Sequence, residues 1–352
     1  MCSSKFKNIL VILFLFSITA CSTKNPELLE NNDPRKYSVV EDVLWASPDG
    51  FDLTMDIYTP ASGGDAYPVL MIFHGGGWLI NNKSIMDQAS KYLATNSEYV
   101  VCNVNYRLLG DAGNTVTLDQ IVEDVFGAVL WAKAHIGDYQ GDSTKIAVTG
   151  DSAGGHLSAM IVNLGNRLSS SGYSEQSLAF TPSYLPDGMT AEQIAAQGGL
   201  SVQAAILSYG AFDVYQSSLN GFESWKNPFW LMGGSLARGI FGDEFNASDN
   251  PGLYKGVSPA YHIPEVNERK LPPQLLTAGS EDTLVTPASV KTYMANLQAA
   301  GHAAEYWEHE GRPHAFLDSG SNAVFGLSFE KDAPPALDVM ISFLDRVFLK
   351  PM

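Results

Sequence analysis

The chain has 352 residues and carries 38 acidic against 21 basic side chains, a formal charge of −17. An apolar share of 45% supports a large core and excludes wholesale disorder, while the acidic balance argues against binding to phosphate backbones. The length suits one α/β domain with additions, and three cysteines without a CxxC or a Cys/His cluster argue against a zinc site or a disulfide framework.

Lys5 and Lys7 precede an unbroken apolar run over 9–16, and Ile18-Thr19-Ala20-Cys21 follows. That run is too short to span a bilayer comfortably. Residues 1–20 read as an export signal. The small residues before Cys21 resemble a bacterial lipobox. That resemblance implies cleavage before Cys21, lipidation of its thiol, and a lipid-anchored place in the cell envelope. Ser22 after the cysteine is compatible with outer-membrane sorting. An ordinary signal peptide with a chance cysteine is the alternative. Removing 1–20 takes away two lysines and no acids, so the charge moves from −17 to −19. Residues 21–36 are polar and turn-rich, as a tether would be.

From residue 37 the chain alternates strand and helix. Val39–Trp45 and Asp52–Tyr58 are strand-like runs around the turn signal Ser47-Pro48-Asp49-Gly50. Val69–Phe73 and Val100–Asn105 read as buried strands, with helical composition over 84–96 between them. Leu118, Ile121, Val122, Val125, Val129 and Ala132 recur at a helix period within 117–136. Lys145–Thr149 is the next strand and Ala153–Leu168 the next helix. Val202–Ser208, Gln274–Ala278 and Ala304–His309 supply three more strands, and helices are expected over 287–300 and 335–348. This order predicts a mostly parallel sheet with helices on both faces. Two segments break it. Residues 169–200 and the aromatic-rich 211–262 read as insertions, the second a lid or pocket wall, with packing decoration as the bland alternative.

Gly150-Asp151-Ser152-Ala153-Gly154-Gly155 joins a predicted strand to a predicted helix. In that context G-x-S-x-G makes a tight turn with an exposed serine at its tip. The helix that follows aims free N–H groups at a developing oxyanion. His74-Gly75-Gly76-Gly77-Trp78 also follows a strand, and its glycines let backbone N–H groups approach a substrate oxygen. The expected donors are Gly75, Gly76 and Ala153. A nucleotide loop is disfavoured, since neither GxGxxG spacing nor Lys-Ser/Thr is present.

A serine hydroxyl needs a base. Of seven histidines, only His314 follows the last strand, at the carboxyl edge of the sheet. His156 lies one turn after Ser152 and points along its helix rather than over the hydroxyl. The orienting acid must follow the preceding strand. Asp282 is the candidate, Glu281 the neighbour that could displace it, and a helix N-terminal role for Asp282 the bland reading. Trp78, Tyr209 and Trp225 are taken as substrate contacts. No metal or cofactor is called for.

HGGGW, Asn105-Tyr106-Arg107, GDSAGG, SEDTLV and RPHAF occur in that order. The set resembles the hormone-sensitive-lipase-like branch of the α/β-hydrolases over roughly residues 40–348. Within that branch it is similar to secreted bacterial acetyl-xylan and feruloyl esterases, and the likeness extends to arylformamidases. The resemblance implies an α/β-hydrolase fold and hydrolysis of short acyl esters through an acyl-enzyme, on acetylated or feruloylated polysaccharide fragments. Asp151 and Arg107 match the family pattern and are read as structural, as buried polar anchors. A lipase for longer chains, an amidase on the same triad and a catalytically dead binding module are the alternatives.

Overall fold

The computed structural model describes residues 36–349. The expected export signal over 1–20, Cys21 and all of the expected tether but Lys36 lie outside the described residues.

Eight strands form one sheet: β1 (Tyr37–Ala46), β2 (Leu53–Pro60), β3 (Tyr67–Phe73), β4 (Val100–Val104), β5 (Gly141–Asp151), β6 (Ala204–Ser208), β7 (Gln274–Gly279) and β8 (Ala304–His309). Their order is β1-β2-β4-β3-β5-β6-β7-β8. The pairs β1/β2 and β2/β4 are antiparallel and the rest are parallel. This is the mostly parallel α/β sheet that strand–helix alternation predicts.

Side-chain alternation splits the core in two. On one face Val69, Met71 and Phe73 of β3 join Ile146 and Val148 of β5. On the other, Leu70 and Ile72 join Ala147 and Ile206. The first face is covered by α2 (Leu118–His135), α3 (Ala153–Leu164) and α4 (Pro287–Ala299), the second by α1 (Asp87–Asn96) and α5 (Pro334–Phe348). The strands are apolar on both faces because both faces are covered.

Boundaries shift where local chemistry wins. The helix after Ser152 stops at Leu164 rather than Leu168, because the Gly165 carbonyl accepts the N–H of Leu200 and the chain turns away. Strand β6 starts at Ala204 rather than Val202, where the Gln203 N–H reaches the Ile146 carbonyl. The two insertions hold only short helices, among them Ala191–Ala196, Val214–Leu219, Pro228–Met232 and Pro251–Gly256. No helix of the described residues is long and apolar enough to cross a membrane.

The Asn105-Tyr106-Arg107 stretch leaves β4 as a buried anchor. Asn105 Oδ1 accepts the Lys83 N–H at 2.7 Å. Arg107 donates Nε and Nη2 to the two oxygens of Asp124 at 2.8 and 2.7 Å. Asp124 is fully buried, and this fork fixes α2 to the end of β4. Arg107→Met strands that carboxylate in the core, so urea denaturation should show a loss of about 3–5 kcal/mol. Adding Asp124→Leu to it should restore part of the loss, because no unpaired charge then remains.

Candidate active site

The serine turn is made by close backbone approach. A Cβ on Gly154 would overlap the Phe73 carbonyl, and one on Gly150 would overlap the Gly154 backbone. Only glycine lets β5, α3 and β3 come this near. Ser152 takes a strained backbone as a result, at φ 51°, ψ −112°. Its N–H donates to the Ser208 carbonyl at 2.9 Å, which holds the turn against β6. The hydroxyl is left at the amino end of α3.

His314 arrives on the loop after β8. Its Nε2 is 2.9 Å from Ser152 Oγ. Its Nδ1 is 2.7 Å from Asp282 Oδ2. The other Asp282 oxygen accepts the N–H groups of Leu284 and Val285 at 2.8 and 2.9 Å. One carboxylate oxygen is thus locked by the backbone, and the second fixes the imidazole tautomer with its proton on Nδ1. Asp282 is buried, while Glu281 is exposed and makes no such contact. A base within reach of a hydroxyl, oriented by a carboxylate, can take a proton from that hydroxyl.

The glycine loop corrects the expectation for Gly75. Its N–H donates to Asp151 Oδ1 at 2.7 Å, so it is already occupied. Among the described residues the N–H groups of Gly76, Gly77 and Ala153 have no protein acceptor. Gly77, whose N–H is free, lines the cavity together with Ala153. Gly76 and Gly77 sit at φ 118° and 59°, conformations that suit glycine. The signal for this assignment is Asp151 itself, a buried carboxylate one residue before Ser152 that needs a nearby donor. Burial pushes its pKa up, while the positive form of His314 and the Gly75 N–H draw it down. Tyr106 closes the loop from behind: it stacks on His74 at 4.2 Å between ring centroids and donates its hydroxyl to the His74 carbonyl.

A cavity of about 750 Å³ lies over Ser152 and His314. Residues 211–229 supply much of its wall, including Ser217, Asn220, Phe222, Asn227 and Phe229. Residues 169–200 supply none of it. Trp78 borders the cavity but is only 2% exposed. Its ring packs edge-on against Phe222, and its Nε1 donates to His156 Nδ1 at 3.2 Å. Tyr209 does not line the cavity. It is fully buried behind His314, with ring centroids 4.7 Å apart, and accepts the Leu317 N–H. Trp225 is 81% exposed and also absent from the lining. Phe222 and Phe229 hold the aromatic positions expected of Trp225. Among the described residues no cluster of His, Cys, Asp or Glu could hold a metal ion.

His74 and His156 are buried neutral, and burial holds both pKa values down to about 4. In the unfolded chain an imidazole titrates near ~6.5. Their stabilisation is therefore complete above that value and is lost as pH falls through it toward about 4. Each contributes about 3 kcal/mol to this loss. His156→Asn should make the stability-versus-pH curve shallower by about one proton between pH 6.5 and 4, read by denaturation at stepped pH.

Comparison with known proteins extends this geometry. Esterase LipQ of Mycobacterium tuberculosis is 27% identical over 287 residues, which is 80% of this chain and 58% of LipQ. The probable carboxylic ester hydrolase LipM of the same organism is 30% identical over 79% of this chain and 53% of its own. The chain thus spans little more than half the length of these relatives. The apo form of Thermogutta terrifontis esterase 2 superposes with a TM-score of 0.63 at 23% identity, covering 90% of this chain and 97% of that one. It shares the fold. The model of the BD-FAE family matches residues 55–297. A match over well more than half of the residues makes the chain a member of the BD-FAE family, in the hormone-sensitive-lipase-like branch of the α/β-hydrolases.

Proposed function

We propose that the protein is a serine carboxylic-ester hydrolase that works through an acyl-enzyme. The observation that carries this reading is the run Ser152 Oγ, His314 Nε2, His314 Nδ1, Asp282 Oδ2, with contacts of 2.9 and 2.7 Å at the floor of an open cavity. In this reading Ser152 Oγ attacks the ester carbonyl carbon while His314 Nε2 takes its proton. Asp282 stabilises the imidazolium without accepting that proton. The N–H groups of Gly76, Gly77 and Ala153 receive the oxyanion, and one such donor lowers the barrier by about 3 kcal/mol. His314 then protonates the leaving alcohol. Water then attacks the acyl carbon while His314 takes its proton, and His314 returns that proton to Ser152 Oγ as the acid leaves. The names of the curated relatives, an esterase and a probable carboxylic ester hydrolase, support the same reaction class.

The substrates we propose are short acyl esters of polar alcohols, such as acetylated or feruloylated polysaccharide fragments. The hydroxyl and amide groups of Ser217, Asn220, Ser224 and Asn227 in the cavity wall support a hydrophilic alcohol. They disfavour the long acyl chain of a lipase. We also propose export and a lipid anchor on Cys21, which would hold the enzyme beside such polymers. Loss of palmitate labelling in Cys21→Ala is the expected mark of that anchor, and retained labelling would refute it.

Ser152→Ala should lower kcat for a small aryl acetate by at least about 10⁴-fold while the circular dichroism spectrum stays that of the parent. Hydrolysis at the parental rate would overturn the mechanism. Acetate release from acetylated xylan, absent in the same variant, would support the polysaccharide substrate.

A further inference from the structure

The cavity over Ser152 does not end at the insertion. A second cavity of about 560 Å³ shares Ala211, Ser217, Asn220, Leu284 and Val285 with it as a common wall. Tyr261 lines the second cavity and also a third, of about 350 Å³, at the carboxyl end of α3. The three spaces are thus neighbours, the first over Ser152 and the third beside Asn163 near the carboxyl end of α3. Helix α3 spans 12 residues between the two ends, a rise of about 18 Å. A ligand that reached both ends would be an oligomer.

The lining changes character along this path. The middle cavity presents hydroxyl and amide groups from Gln216, Thr286, Ser289, Thr292 and Asn296. The Tyr261 hydroxyl donates to Asp213 Oδ2 at 3.1 Å. Beyond it the charge is positive. Lys255 Nζ lies 5.0 and 5.4 Å from the ring centroids of Tyr215 and Tyr261. Arg167, His262 and Arg269 line the third cavity. Arg269 is held rigidly, with both terminal nitrogens donating to the Val162 and Asn163 carbonyls at the end of α3. His262 Nε2 donates to the Lys255 carbonyl at 2.9 Å. The cavity's one carboxylate is Glu268, and it pairs with neither guanidinium: the arginine ion pairs of the described residues belong to Arg107, Arg312 and Arg346. Arg167 lies close enough to push the pKa of both His262 and Arg269 down, second to burial as a cause. Two guanidinium groups thus line one hollow, and among the described residues neither is ion-paired, in a chain whose net charge is −17. A carboxylate bound there would gain from both charges.

We propose that the three cavities form one groove for an ester whose alcohol portion is a polyhydroxylated oligomer bearing a carboxylate, with the ester at Ser152 and the carboxylate at Arg167 and Arg269. The guanidinium fork of Arg167 matches the geometry of a carboxylate, and Arg269, fixed by the Val162 and Asn163 carbonyls, adds its charge. The concave hydroxyl- and amide-lined path matches a sugar-like chain. An anionic membrane surface fits less well, since the cations line a hollow and the net charge repels such a surface. The proposal rests on the ester-hydrolase reading and adds the acidic character and the length of the substrate.

The test compares acetylated, uronate-bearing oligosaccharides with the same oligomers after reduction of their carboxylates to alcohols. The readout is the ratio of the two kcat/KM values, in the parent, Arg167→Ala and Arg167→Glu. Arg167 is exposed, so its substitution does not threaten the fold. The parent should favour the acidic oligomer by at least about fivefold. Arg167→Ala should lower the ratio through KM, Arg269 keeping part of it, and Arg167→Glu should bring it to one or below. The parental preference should shrink in high salt. Equal rates in the parent, or a preference that survives Arg167→Glu, overturns the groove. If the parent cleaves no ester at all, the hydrolase reading fails by itself. Calorimetric titration with the deacetylated acidic oligomer then decides: binding lost in Arg167→Glu upholds the groove, and no binding or equal binding overturns it.

Discussion

The hydrogen bond from the Gly75 N–H to Asp151 Oδ1 is the constraint on which the site depends. It ties the loop after β3 to the turn after β5, and those two strands are neighbours in the sheet. A Cβ on Gly75 would overlap the same carboxylate, so the contact is tight on both sides. By taking up the first N–H of the glycine loop, Asp151 leaves the next two free. Of these, Gly77 lines the cavity over Ser152 together with Ala153. The carboxylate thus serves geometry. In the proposed reaction it would keep the free N–H groups of the loop in place as negative charge develops, with no reorganisation needed at that moment.

Each functional group stands on a different carboxyl end of the parallel strands: the glycine loop after β3, Ser152 after β5, Asp282 after β7 and His314 after β8. That edge is where open α/β sheets place their ligands. The precision comes from anchors one step removed. Tyr106 fixes the His74 carbonyl, the Leu284 and Val285 amides fix one oxygen of Asp282, and the buried ring of Tyr209 backs the imidazole of His314. Tyr209 itself sits at φ 37°, an unusual backbone for a bulky residue. Its ring also packs edge-on against Phe316.

Periodicity and turn chemistry made most of the fold legible in the sequence. Strand and helix positions came from apolar patterning, because buried parallel strands are short continuous runs and amphipathic helices repeat at 3.6. Ser152, Asp282 and His314 could be named because each comes after a strand in a fixed order, and the structure brings their side chains within hydrogen-bond distance. Gly75 was misassigned for a reason that patterning cannot see. Three adjacent glycines look alike in sequence, and only a tertiary contact with Asp151 tells which N–H is occupied.

The insertion shows the same limit in another form. Residues 211–262 are rich in aromatic side chains, and composition gives no hint of which ones turn inward. Phe222 and Phe229 do so because each is gripped by neighbours: Phe222 lies edge-on to Trp78, and Phe229 closes over Gly77. Trp225 lies between them in sequence, yet it is exposed and does not line the cavity. Burial of an aromatic ring contributes only when a packed surface exists to receive it. In a segment without strand or long-helix periodicity, that surface is set by contacts distant in sequence. A substrate pocket built on such a segment is therefore the part of this enzyme-like site that must be measured in three dimensions.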